Sequence, residues 1–265
     1  MFKHFPAEFV YQFFALIFSV ILVHGAYVTV VRPNAAAHLA EQRALVAKQP
    51  DAVAETSIYV ILKDYEQEAE IILMLWALAI LGYKWADAVR ERGLLESDLV
   101  PLAEGIKILP EDARRYAKPL EALKPSLRNL LLPRALFQSL TRFETSRSVQ
   151  DAASATSALC QNEGDRLDSE LAQIRYIAWA IPSIGFIGTV RGIGNAMGLA
   201  YRAVQGDITG VTENLGTAFN STLVALVLAV VLMFLVHQLQ LAQERLALDT
   251  ETYVNDRLIR HMRTT

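Results

Sequence analysis

The sequence predicts an all-α membrane protein with four transmembrane helices and long cytoplasmic helical extensions. Three observations lead there. Hydrophobic residues make up 53% of the chain and charged ones only 20%, a balance shifted towards membrane proteins. The apolar residues are gathered into four blocks. Lysine and arginine are distributed unevenly among the connections between those blocks.

Residues 1–31 comprise the N-terminus and first span. Phe9 to Val31 runs for 23 residues without Asp, Glu, Lys or Arg, enough to cross the ~30 Å hydrocarbon core. The run exceeds the ~7–15-residue apolar region of a secretory signal, and only Lys3 supplies a fixed positive charge ahead of it. Ala35, Ala36 and Ala37 are therefore not expected to mark a cleavage region. Residues 32–67 mix alanine, acid and base, and are expected to form a short periplasmic helix or hairpin.

Residues 68–86 form the second span, around IILMLWALAILGY. Glu68 and Glu70 at its start and Lys84 near its end leave a short uncharged centre. Trp76 suits a deep position, Tyr83 and Trp85 an interfacial belt, and Lys84 is expected to snorkel.

Residues 87–173 read as a cytoplasmic helical domain of mixed charge, with Pro101, Pro110, Pro119, Pro125 and Pro133 as breakers and an amphipathic stretch, LLLPRALFQSLTRF. Proline is absent from Ser139 to Gln173, which predicts one long helix leading into the third span. Within that span, 174–201, the stretch from Tyr176 to Tyr201 is apolar apart from Arg191. A periplasmic turn at 202–213 precedes the fourth span, 214–238. In the C-terminal cytoplasmic helix, 239–265, Leu239, Leu246, Val254 and Leu258 recur at helical spacing among charges.

With the N-terminus inside, 19 of the 25 basic residues fall inside, Arg191 lies within a span, and only Arg32, Arg43, Lys48, Lys63 and Arg202 fall outside. Basic side chains resist translocation, so both termini and the large loop are expected in the cytoplasm. The single cysteine, Cys160, excludes an intrachain disulfide and a cysteine-based metal cluster, and reads as an inert thiol. His24 and His237 are solitary, and read as packing or interfacial residues. No cofactor, metal spacing or nucleic-acid footprint is evident.

The third span reads IPSIGFIGTVRGIGNAMGLA. Gly185, Gly188, Thr189, Gly192, Asn195 and Ala196 fall at intervals of three and four, so one face is small or polar. On the fourth span Ala218, Ser221, Thr222, Ala225 and Ala229 form a similar stripe, with Thr217 and Asn220 adding polar groups. Such stripes also serve ordinary helix packing, where an interhelical hydroxyl contributes only ~0.6 kcal/mol.

The order of GFIGTVRGIG after Pro182, a short polar turn, then ENLGTAFNSTLVALVLAVV resembles the core of the MotA/TolQ/ExbB proton-channel family over about 70 residues, Arg175 to Arg245. Four spans with a large loop between the second and third are similar to the flagellar-stator branch; the GTV block is more similar to TolQ and ExbB. The resemblance implies a bacterial inner-membrane homopentamer around a dimeric MotB/TolR/ExbD-like single-span partner that carries a transmembrane Asp, with transported H+ or Na+ and no cofactor. It implies that Thr189 and Thr222 line the ion path. Ser221, Asn220 and Thr217 join the candidate path, with Pro182, Gly185, Gly188, Gly192, Ala218 and Ala225 in pore packing and coupling. The third and fourth spans contain no Asp or Glu, so the titrating group is expected on the partner. Loop 87–173 is a candidate surface for a cytoplasmic partner.

Arg191 departs from the family pattern and would be costly if unpaired in the membrane. It is expected either to snorkel or to pair with Asp207 or Glu213, or else to set the field at an outer mouth of the channel. Pro182 removes a helix hydrogen bond, giving either a simple kink or a coupling bend. The expected function is a stator-like channel subunit; the alternative is a non-conducting scaffold that recruits cytoplasmic partners. An enzyme is not expected, because neither Ser183 nor Ser221 has a histidine base placed by the sequence.

Overall fold

The computed structural model describes residues 7–48, 57–100 and 106–264. Lys3, His4, Pro101 and the 49–56 part of the 32–67 segment lie outside them. The chain is helical, with α1 (Ala7–Ala26), a π turn (Tyr27–Val31), α2 (Arg32–Lys48), α3 (Ile58–Leu62), α4 (Tyr65–Leu94), α5 (Ala113–Glu121) and α6 (Pro125–Arg128). There follow α7 (Leu131–Ser146), α8 (Val149–Glu170), α9 (Ala172–Gly198), α10 (Ala200–Val204) and α11 (Thr209–Arg257). No strand occurs among the described residues, only an isolated bridge between Ile108 and Met262. Among the described residues four helical stretches are long and apolar enough to cross a membrane, and the expected fold class is the observed one.

Two compact units divide the chain, one of Met1–Leu81 with Gln173–Val236 and one of Gly82–Ala172 with His237–Thr265. The first contains the most hydrophobic segments. Its N-terminal helix runs through the π turn, and the 38 residues from Glu8 to Leu45 extend for roughly 57 Å at ~1.5 Å per residue. That is well beyond a ~30 Å hydrocarbon core. The π turn has a local cause in Pro33, which has no N–H to offer the preceding turn. Arg32 N–H instead bonds to Tyr27 O, one residue further back than in an α-helix, and Asn34 Nδ2 donates to Val30 O at 2.7 Å. Tyr11 Oη donates to Ala79 O at 3.1 Å and Trp76 Nε1 to Gln12 O at 2.9 Å, tying α1 to α4.

The second unit has an apolar core in which Ile108, Leu120, Leu132, Leu136, Leu140 and Phe143 meet Val254, Leu258 and Met262. Leu239 and Leu246 are also buried, so the periodic residues of the last helix do face inward. The expected single helix over 139–173 is broken. Arg147 adopts a left-handed conformation (φ 53°) and ends α7, and Ser148 Oγ accepts from Asp151 N at 3.2 Å to start α8. The Ser-x-x-Asp pattern is a helix-start signal. Several prolines read as breakers lie in helices instead: Pro125 at the start of α6, Pro133 in the first turn of α7 and Pro119 within α5. In a first turn the missing N–H has no intrahelical partner to lose.

Lys84 also differs from expectation. It is buried and bonds to Glu170 Oε2 at 2.5 Å, because an anionic partner lies within reach in the same unit. Glu170 and Glu163 both bind Arg166, and Glu163 receives Arg134 at 3.1 Å. Glu91 Oε2 accepts the N–H of Leu131 at 3.1 Å, placing a carboxylate on the otherwise uncapped start of α7.

Candidate functional site

The small-residue stripes of α9 and α11 pack against each other within one chain. Gly185, Gly188 and Gly192 on α9 and Ala218, Ser221 and Ala225 on α11 are all buried. A Cβ at position 192 would stand 2.7 Å from Ala218 Cβ and 2.8 Å from Asn214 O. At 188 it would stand 2.7 Å from Ser221 Cβ and 3.0 Å from Glu66 Cγ, and at 185 it would collide with Ala225 Cβ. Glycine is required here by close approach, not by backbone conformation.

Hydroxyl groups fill the seam between those backbones. Thr222 Oγ1 lies 3.0 Å from Gly185 O, Ser221 Oγ 3.1 Å from the same carbonyl and 3.0 Å from Ala218 O. Thr189 Oγ1 lies 3.0 Å from Ala218 O and hydrogen-bonds directly with Thr222 Oγ1. Each hydroxyl has one proton and two acceptor lone pairs. These contacts are therefore alternatives, and the donor direction through the cluster can reverse without moving a heavy atom. Pro182 sits inside α9, where it offers no N–H to the Ala178 carbonyl, and Ser183 Oγ donates to Trp179 O at 3.0 Å.

Thr217, Asn220 and Arg191 are placed differently. They line a cavity of about 710 Å³ whose wall also includes Asn195, Lys63 and Asp64. Lys63 Nζ bonds to both Asp64 carboxylate oxygens at 3.1 Å and approaches Thr217 Oγ1 at 3.4 Å. Arg43 holds Glu213 at 2.9 and 3.1 Å. Arg191 Nη2 is 2.7 Å from Glu66 Oε2. The expected partners, Asp207 or Glu213, are thus replaced by a residue from the start of α4. Glu66 approaches closely because Gly188 presents no side chain to it.

The acidic start of α4 is the part of the site that sequence reasoning missed. Glu68 receives Arg32 and, at 2.7 Å, His24 Nδ1, and Arg32 also covers the ring of Tyr65, 4.4 Å from its centroid. His24 is accordingly more than a packing residue. Glu66, Gln67, Glu68 and Glu70 are all buried. From the sequence Glu68 and Glu70 read only as an interruption of an apolar block, and Glu66 is not singled out. The available signal was the i, i+4 spacing of Glu66 and Glu70, which sets two acids on one face of a membrane helix.

Residues 128–252 match the profile of the MotA/TolQ/ExbB proton channel family. This stretch belongs to that family. The MotA/TolQ/ExbB region contains α8, α9, the Thr189–Thr222 pair, Pro182, Arg191 and both small-residue stripes; α1 to α4, with Glu66, Glu68 and Glu70, precede it. With four candidate spans among its described residues the chain is a multi-pass membrane protein, and its residues 128–252 match a channel family. No curated protein and no solved structure matches it.

Proposed function

We propose that the chain is the channel-forming, stator-like subunit of a proton- or sodium-driven membrane motor. Five copies surround a dimeric single-span partner that carries a transmembrane Asp, and ion flow is coupled to rotation or force. It resides in a bacterial inner membrane with both termini and residues 87–173 in the cytoplasm. The cavity lined by Arg191 then opens on the periplasmic side, where Arg191 and Lys63 set the field for entering cations.

The observation that carries this reading is the hydroxyl cluster of Thr189, Ser221 and Thr222 in the α9–α11 seam, inside the MotA/TolQ/ExbB region. Neutral hydroxyls can accept from a protonated carboxyl or donate to an ionised one. A partner Asp presented to five equivalent clusters has a cheapest position that changes when it takes up or loses a proton. One elementary charge crossing supplies ~2.3 kcal/mol per 100 mV, so a few crossings suffice for a step against load. Thr217 and Asn220 lead from the cavity towards the seam, and the helix turn at Pro182 couples the seam to the cytoplasmic part.

The test is isolation of the complex from its native membrane, with counting of subunits by mass spectrometry of the intact assembly. A complex of five chains with two Asp-bearing single-span proteins supports the proposal. An assembly without such a partner, and without ion flux in liposomes, assigns the non-conducting scaffold instead.

A further inference from the structure

We propose that Glu70, in the second span, holds a proton in the folded protein and exchanges it with the cavity beside Arg191, so that this chain supplies a titrating carboxyl of its own. Glu70 has no solvent exposure, and neither of its carboxyl oxygens has a hydrogen-bond partner. An ionised carboxylate in that position would lack both water and a countercharge, and buried carboxyls without either are neutralised by taking up a proton.

The contrast with its neighbours is specific. Glu66 has Arg191 and Glu68 has Arg32 and His24, while Lys63 is engaged by Asp64. Arg191, Arg32 and Lys63 are thus each engaged by an acid other than Glu70. Glu70 lies one turn beyond Glu66 on the same face of α4. Besides those groups, α1 and its π turn contribute Tyr27, which stacks near Arg32 at 5.5 Å.

Two further buried side chains have unfilled hydrogen-bonding capacity. Gln67 is fully buried with neither amide atom bonded, and the buried Tyr27 hydroxyl also lacks a partner. Unfilled buried hydrogen-bond capacity is costly and rare, and three such side chains on adjoining elements are not explained by packing. In the acid form the Glu70 hydroxyl gains a donor, which such acceptors can take. A proton from water in the cavity would pass the Arg191–Glu66 pair, whose Glu66 Cγ lies against Gly188, and bond to a Glu70 carboxyl oxygen. Release is the reverse, the proton returning to water and leaving the carboxylate.

The exchange rests on the proposed channel function, whereas the protonation of Glu70 does not, and the experiment separates them. Infrared spectra of the full chain in lipid, without any partner, should at neutral pH show the carbonyl stretch of one protonated carboxylic acid. The band should vanish in Glu70→Gln, persist in Glu213→Gln, and shift when the protein carries ¹³C-labelled glutamate. Absence of the band from the wild type, or its survival in Glu70→Gln, overturns the proposal; should that variant fail to fold, Glu70→Asp decides, because its band should no longer shift with ¹³C-labelled glutamate, and a band that still shifts overturns the proposal. In liposomes holding the native complex, Glu70→Gln should lower proton flux at least about tenfold, equivalent to ~1.4 kcal/mol of barrier. Unchanged flux with the band assigned to Glu70 overturns the exchange. A wild type with the band but no flux leaves Glu70 protonated and contradicts the proposed function.

Discussion

Arg191 on α9 and Glu66 on α4 meet at 2.7 Å, the guanidinium partly exposed in the cavity wall and the carboxylate almost buried. An arginine that departs from the family pattern thus compensates an acid that lies outside the family-matched region. Removing the cation strands the acid. Arg191→Leu should destabilise the protein by ~1–3 kcal/mol, and Glu66→Gln in the same chain should recover part of that loss. A thermal-denaturation mutant cycle in lipid nanodiscs checks this; additivity within ~0.5 kcal/mol would show that the two do not interact.

The glycines of α9 give a sharper spatial prediction. Gly188→Ala would drive a methyl group into Ser221 and Glu66, and Gly185→Ala into Ala225. Overpacking of this kind costs ~1–3 kcal/mol. Gly194 has open space around its Cβ position, so Gly194→Ala should be neutral or slightly stabilising. Yield and melting temperature of the purified variants should rank in that order.

Acid should loosen the second unit through Glu163. Burial alone would raise its carboxyl pKa, but hydrogen bonds and charge from Arg166, with the charge of Arg134, outweigh burial and hold it below the ordinary carboxylate range. A carboxyl depressed in the folded state stabilises fully above its unfolded value of about 4.3, and the contribution is lost as pH falls through the lower folded value. Hydrogen exchange of α7 and α8 should accelerate below about pH 4 in the wild type. In Glu163→Gln that acid-dependent step should be reduced, with exchange faster already at neutral pH.

Cys160 should resist alkylation. Burial, with the charges of Glu251 and Glu163 behind it, pushes its thiol pKa up to about 11. The thiolate fraction at neutral pH falls roughly 100-fold relative to an ordinary cysteine, so maleimide should label the folded protein slowly and the denatured protein rapidly. Rapid labelling of the folded protein would contradict the burial of Cys160 on α8.

What the sequence revealed and what it hid divide along the range of the interactions. The spans were legible because a ~30 Å core demands an uninterrupted apolar run, and the glycine and threonine stripes because helical spacing sets them on one face. The Arg191 partner was not, since Glu66 lies 125 residues away and no local rule joins them. Lys84 was misread for the same reason, its Glu170 partner being distant in sequence. The break at Arg147 had a local signal, Ser148 with Asp151, which the absence of proline obscured.

Ion flux through the native complex in liposomes, compared between wild type and the double variant Thr189→Val, Thr222→Ala, tests the channel reading most directly. The account predicts potential-driven flux in the wild type and a loss of at least about tenfold, ~1.4 kcal/mol of barrier, in a double variant that still assembles. Equal flux in both, or none in the wild type, would contradict it.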